Sequence, residues 1–330
     1  MMANISREPI NATGSYRFDN SNLRGIGEGM NYQGRRYSLL GALSLLGLSV
    51  LLGLGCAPEP ETDAEPDLPG RALTGQIVKV DLERGTLLVD HDEIPDYMPP
   101  MVMEFKVNPG DLAIAEEGER IRARLIEEPA GEFKLSHIWP DDKVASSQIA
   151  SAAAALRQDT TIRGTKAYRE VGENLPDFAL YDQDGEVVSV HRFRGKKVLL
   201  NFIYTRCPIA TMCPAAVLNM MAVQSKLEFA GRSDDLALVS ISFDPEYDTP
   251  GVLREYADLR GINTEQYHFL TGPEGAIKDL LRQLGVLTEV DGPLIQHTLA
   301  TLLIDENGRI IHRVDGSRWD PDDFVYRIMQ

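Results

Sequence analysis

Apolar residues in this chain follow two incompatible rhythms, and the switch between them constrains the architecture more than any other feature. From Arg71 to Ile138 they recur at every second position between frequent turns, as in GQIVKVD, GTLLVDH, MVMEFKV, RIRARLIEE and EFKLSHI. Alternation of this kind belongs to strands with one buried face. Breaks fall at Glu83-Arg84-Gly85, Pro109-Gly110 and Pro129-Ala130-Gly131. From Gly172 onward the apolar residues come instead in blocks. VLLNFIYT and LALVSISFD are continuous runs suited to strands covered on both faces. PAAVLNMMAVQSKLEFA has helical spacing, with Pro214 in its first turn. No single domain accommodates both rhythms, so the chain is multidomain.

Five short strands with no helix of note predict a small closed barrel of the OB type at 71–138. In the second region, helices are predicted near Val252 to Leu259 and Glu274 to Leu284. A hairpin follows in LATLLIDENGRIIHRVD, turning at Glu306-Asn307-Gly308. Strand, helix, strand, helix, then hairpin and helix is an α/β layout of thioredoxin-like order, assigned to 172–330. The intervening 139–171, with ASSQIASAAAALRQD, reads as a helical linker.

Ser38 to Gly55, SLLGALSLLGLSVLLGLG, carries no charge. As a helix it would span roughly 27 Å, close to the hydrocarbon thickness of a bilayer. Arg35 and Arg36 precede it and Cys56 follows. Basic, apolar, small residue, then cysteine is the order of a bacterial lipoprotein signal, which 1–56 resembles, with Cys56 as the lipidated residue. The box is imperfect, with Gly53 where Leu is usual. A start at Met30 would give the short basic leader MNYQGRRY. The alternative is an uncleaved anchor. Either reading puts the rest of the chain on the extracytoplasmic, periplasmic face of the membrane. Residues 57–70, APEPETDAEPDLPG, have almost nothing to bury and read as a solvated tether. A net charge of −17 excludes nucleic acid as a partner, because a phosphate-binding surface needs an excess of Lys and Arg.

The chemistry concentrates in FIYTRCPIATMCPAAV, which holds two of the three cysteines. Cys207 and Cys213 fit neither the Cys-x-x-Cys redox loop nor a zinc knuckle. Six positions apart, they cannot meet on one continuous helix. Pro208 forces a loop and Pro214 starts the helix, which places Cys213 near the helix N-terminus. With Arg206 beside Cys207, both thiols are expected to have lowered pKa values, as nucleophiles and soft-metal ligands. The structural alternative is a plain disulfide; a loop so short yields little entropic stabilisation.

NFIYTRCP, SFDPEYDTP and QHTLATLLIDENGRI, in this order, resemble the Sco/SenC family of membrane-anchored, thioredoxin-like copper proteins. The resemblance runs from about Asn174 to the end of the chain. It implies copper held by Cys207, Cys213 and His297, as Cu(I) or Cu(II). It also implies a role in assembling the copper site of cytochrome c oxidase, whose copper-bearing subunit, or another exported copper protein, would be the partner. Asp244 matches an acidic position near that site; a strand-end cap is its equal alternative. The departure is the spacing, since the family's usual pair is Cys-x-x-x-Cys. His191, His268 and His312 lack such context and read as surface or packing residues.

The barrel carries a second soft-ligand set. VDHDEIPDYMPPMVMEFKV gathers His91, Met98, Met101 and Met103, and on a strand Met101 and Met103 face the same way. Thioethers suit Cu(I) or Ag(I), although methionines also simply fill cores. The segment is similar to the CusF-like periplasmic copper- and silver-binding domain. That likeness implies His91, Met101 and Met103 as ligands, with Met98 where the family has a capping Trp. Together these features point to a membrane-tethered copper chaperone. The alternatives are a thiol–disulfide oxidoreductase using Cys207 and Cys213 as its catalytic redox pair, and a copper or silver tolerance buffer.

Overall fold

The computed structural model describes residues 68–129, 131–164, 168–291 and 294–330. The charge-free segment, Cys56 and nearly all of the acidic tether lie outside the described residues. No helix among the described residues is long and apolar enough to cross a membrane.

β1 (Arg71–Asp81), β2 (Thr86–His91), β3 (Met101–Lys106), β4 (Arg120–Glu127) and β5 (Phe133–Pro140) close a barrel in the order β1-β2-β3-β5-β4. The two-residue alternation fills it: Leu73, Ile77, Leu87, Val89, Phe105, Ile121, Leu125 and Leu135 all point inward and are buried. β2 and β3 pair antiparallel with Leu87 opposite Phe105, Val89 opposite Met103 and His91 opposite Met101. Those six positions therefore share the inner face.

Pro109-Gly110, expected only as a break, opens a short helix, α1 (Pro109–Ile114). Proline's missing N–H goes unpunished in a first turn, so a Pro-Gly pair reads locally as a turn and a helix start alike. α1 touches the second domain. A Cβ on Gly110 would sit 1.9 Å from the Gly251 carbonyl oxygen, so only glycine lets these two backbones approach. The described residues of the barrel and of the second domain accordingly belong to one compact unit.

α2 (Lys143–Arg163) is capped by Asp142, whose carboxylate accepts from Val144 N–H at 2.7 Å. It lies along the second domain, where Arg157 pairs with Asp279 at 2.5 Å and Gln283 donates to Thr160 Oγ1 at 2.9 Å. Then follow β6 (Ala179–Tyr181), β7 (Val187–Ser189), β8 (Lys197–Ile203), α3 (Cys213–Phe229), β9 (Leu236–Ser242), α4 (Pro250–Asp258), β10 (Tyr267–Leu270), α5 (Glu274–Gln283), β11 (Thr288–Asp291), β12 (Leu294–His297), β13 (Ala300–Ile304), β14 (Ile310–Asp315) and α6 (Pro321–Met329). The main sheet runs β10-β9-β8-β13-β14, with β8, β9 and β10 parallel and β13 antiparallel to β8. Leu199, Leu200, Phe202 and Ile203 of β8 are fully buried, each stabilising the fold by about 1.5–3 kcal/mol. β8 is the central strand of this sheet, and the thiol segment leaves from its C-terminal end. The separate β11–β12 hairpin, which ends on His297, has no counterpart among the elements expected from the sequence.

Candidate metal centre

Three segments converge beyond the end of β8. Cys207 follows the strand through a tight turn in which its N–H bonds the Tyr204 carbonyl at 3.3 Å. Cys213 is the first residue of α3, with Pro214 next. Between them residues 208–211 are exposed, and the Thr211 carbonyl accepts from Ser317 Oγ at 2.6 Å. His297 arrives on the last residue of β12. The base of that hairpin is closed by Thr298 N–H to the Leu287 carbonyl and Leu287 N–H to Thr298 Oγ1, each 2.9 Å.

The outcome is a cluster in which the ligand atoms of Cys207, Cys213 and His297 all lie within 4.8 Å of one another. Both thiols are free and buried. Cys213 Sγ is 3.5 Å from His297 Nε2, and His297 Nδ1 faces the Thr298 carbonyl at 3.3 Å. The ring nitrogen that faces a carbonyl carries the proton, which leaves the Nε2 lone pair toward the sulfurs. Phe243 and Tyr204 wall the imidazole, with ring centroids at 4.5 and 5.7 Å. Burial lowers the His297 pKa, so the ring stays neutral and able to ligate.

Thiol acidity departs from expectation. Burial pushes the Cys213 thiol far up, against a weaker opposite pull from backbone N–H groups. The helix N-terminus does not offset desolvation in so dry a site. The Arg206 guanidinium is engaged elsewhere: it pairs with Asp244 at 2.6 and 3.1 Å and lies 4.8 Å from the Tyr247 ring centre. Tyr204 is also pushed up, to about 12, first by burial and then by its hydrogen-bonded neighbour Cys207. A soft cation would supply the charge that burial denies the thiolates.

Asp244 is thus placed as the partner of Arg206, outside the three-ligand cluster. Asp248, which sequence reasoning passed over, has the larger structural role. Its fully buried carboxylate accepts from Thr205 N–H at 3.1 Å and from Ser242 Oγ at 2.5 Å, and it also bonds Thr205 Oγ1. It fixes the residue two before Cys207. The available signal was the second Asp of SFDPEYDTP, four residues after the first.

In the barrel, His91 is 1% exposed and its Nδ1 donates to the Asp92 carbonyl at 2.7 Å. Asp92 is itself pinned, accepting from Thr74 and Arg120 at 2.6 Å each, which also holds its carboxyl below the usual range. His91 Nε2 is left buried without a protein partner. Buried polar atoms are nearly always satisfied, and here the side chains on the same inner face are thioethers. Met101 lies directly opposite and Met103 two residues along. Met101 is 43% exposed at the barrel mouth, while Met103 and Met98 are half-buried against the barrel core. Met98 closes a small turn with Ile94 through two backbone hydrogen bonds. A buried imidazole nitrogen without a partner, on the same barrel face as uncharged sulfurs, is a donor set for a soft monovalent cation, and a poor one for Mg or Ca.

Fold and site together define a class: a thioredoxin-like domain bearing a thiol–thiol–imidazole cluster, preceded by a small barrel with a second soft-donor set. The SCO1/SenC family model matches residues 166–330, half of the chain, and the chain belongs to that family. Residues 71–140 match the model of the copper binding periplasmic protein CusF. Both families bind copper. The chain is 33% identical over 141 residues to a SCO2-like protein of Rickettsia typhi, covering 41% of this chain and 66% of that one. It is 28% identical over 155 residues to a SCO1 homologue of Bacillus subtilis, covering 45% and 77%. It thus spans just under two thirds of the length of the Rickettsia relative. Among solved structures, copper-bound ScoI of Arabidopsis thaliana overlaps 48% of this chain and 96% of its own, at 27% identity and a TM-score of 0.42.

Proposed function

We propose that the chain is a membrane-tethered, extracytoplasmic copper chaperone that acts in assembling the copper site of cytochrome c oxidase. The carrying observation is the convergence of Cys207, Cys213 and His297 within 4.8 Å of one another. In this reading copper is cargo. Two thiolates and an imidazole hold it at the end of β8, and Asp248, Asp244 and Arg206 keep the thiol segment in place. The B. subtilis and mammalian relatives carry the SCO name, which supports the assembly role. The lipoprotein-like order ending at Cys56 supports the tether.

The barrel is the second copper site, formed by His91, Met101 and Met103, with Met98 alongside. Its neutral donors favour loose capture of Cu(I), and its exposed Met101 favours exchange. Burial of both cysteines argues for metal carriage ahead of thiol exchange, because a partner disulfide must reach the attacking sulfur.

Anaerobic titration of the full chain with Cu(I) against a competing chelator tests the whole reading. Two equivalents are expected. One equivalent, with His297→Ala leaving it unchanged, would remove the assignment of the thiol centre. One equivalent lost on His297→Ala would remove that of the barrel.

A further inference from the structure

The span between the cysteines depends on support from outside itself. Pro208, Ile209, Ala210 and Thr211 are exposed, and a bond from Met212 N–H to the Ile209 carbonyl at 2.9 Å holds their turn. Exposed segments with few contacts of their own lie at the low-stability end of a fold. A metal site, by contrast, needs its donors held to within about 0.5 Å.

The support comes from the loop between β14 and α6, which carries no ligand. Its Ser317 Oγ donates to the Thr211 carbonyl at 2.6 Å. Its Gly316 N–H bonds the Leu299 carbonyl at 2.7 Å, two residues beyond His297. Gly316 does so at φ of 88°, a left-handed angle that suits glycine. Asn219, six residues beyond Cys213 on α3, grips the loop from the third side. Its Nδ2 donates to the carbonyls of Ser317 and Trp319 at 3.2 Å each. Two carbonyls can be met only by the NH2 end of the amide, so this side chain has one orientation. The far end of the loop is anchored by the buried Trp319, whose ring centre lies 4.6 Å from that of Phe324. One short loop thus reaches every segment that brings a donor to the cluster.

We propose that residues 316–319 are a brace for the thiol centre and that Asn219 and Ser317 are its positioning residues. The brace holds Cys207, Cys213 and His297 aimed at a common point, and so favours the dithiol over the disulfide. Closing the disulfide brings the sulfurs to about 2.05 Å of each other. Each thiol then gives up a proton and an electron to an external disulfide, which leaves as two thiols. That approach draws the span inward, away from Ser317. The inference rests on the reading of the cluster as the copper site and adds to it a control: a loosened brace releases copper and admits the disulfide.

The test uses the full chain with Ser317→Ala, Ser317→Thr, Asn219→Ala and the double Ala variant. Two quantities are read: the Cys207–Cys213 disulfide fraction in glutathione buffers without metal, by alkylation and peptide mass, and the Cu(I) affinity of the thiol centre against a chelator. Ser317→Ala and Asn219→Ala are each expected to move the thiol equilibrium toward the disulfide by about fivefold, and to weaken Cu(I) binding by a similar factor. Because both act through one loop, the double variant should fall little further than Asn219→Ala alone. Ser317→Thr keeps the hydroxyl and should stay near the wild type. A thiol equilibrium unmoved in both single Ala variants overturns the brace. Effects that multiply in the double variant overturn the shared path, and a Thr variant that behaves like Ala overturns the hydroxyl as its link. If the wild-type chain takes no copper at the thiol centre, the functional reading falls, while the metal-free equilibrium still decides the brace. If Asn219→Ala fails to fold, the two Ser317 variants decide it.

Discussion

The two sulfur centres place similar atoms in opposite surroundings. Cys213 is fully buried and Cys207 is 8% exposed, whereas Met101 at the barrel mouth is 43% exposed. The thiols become strong ligands only by losing protons, and burial resists that loss at Cys213. The thioethers of the barrel have no proton to lose. In the proposed reading, one centre would tie metal affinity to acidity and to a rigid hydrogen-bonded support; the other would tie it to little more than one imidazole and access from solvent. The difference teaches that two donor sets of equal softness can differ in burial, and that in the proposed reading softness would select the ion while burial would set how the site lets go of it.

The strongest blow to this contrast is Cys213→Ser, expected to abolish the thiol centre and leave the barrel untouched. Cu(I) titration should then fall from two equivalents to one, and His91→Ala in that background should remove the last.

Acidity offers the next separation. Competition titrations between pH 6 and 8 should show thiol-centre affinity rising about tenfold per pH unit for each thiol proton released. The thioether ligands contribute no such dependence. Equal pH dependence at both centres would break the comparison.

A milder probe is Met101→Leu. It should weaken barrel binding by more than the roughly 10–100-fold that outer partners of a metal site are worth. Thermal unfolding should move little, because Met-to-Leu conserves volume and usually costs less than about 1.5 kcal/mol.

A last probe, which leaves both sulfur centres untouched, concerns the joint between the two regions. Asp111 of α1 is buried with one carboxylate oxygen unpartnered, and burial together with Glu255 pushes its pKa up to about 7, against a weaker pull from Lys134. A folded pKa above the unfolded value makes the protonated form the stabilising one. Its stability is fully present below about pH 4 and is lost as pH rises through about 7. Asp111→Asn should remove that loss, which integrates to on the order of a few kcal/mol in urea denaturation at pH 8 and to almost nothing at pH 4.

The two architectures were legible because their signals are local. Leu87, Val89 and Phe105 alternate as a barrel wall must, and β8 is apolar on both faces because both are covered. Cys207, Cys213 and His297 were legible through their flanking motifs. What stayed hidden was non-local. Arg206 seemed to charge Cys207 until Asp244, thirty-eight residues on, took its guanidinium. The acidic thiol predicted for Cys213 overlooked how completely the folded chain would cover it. α1 hid behind Pro109-Gly110, and Asp248 behind its neighbour Asp244.

The span between the two cysteines is stapled at Thr211 by Ser317 and fastened at its ends, one thiol to the tip of β8 and the other to the start of α3. Those fixtures, and not the tally of intervening residues, decide how close the sulfurs come. Excising two of the exposed positions 208–210 would then change the outline of the surface while the pincer kept its gap. Counting letters between ligands is a poor ruler wherever the folded body holds both jaws.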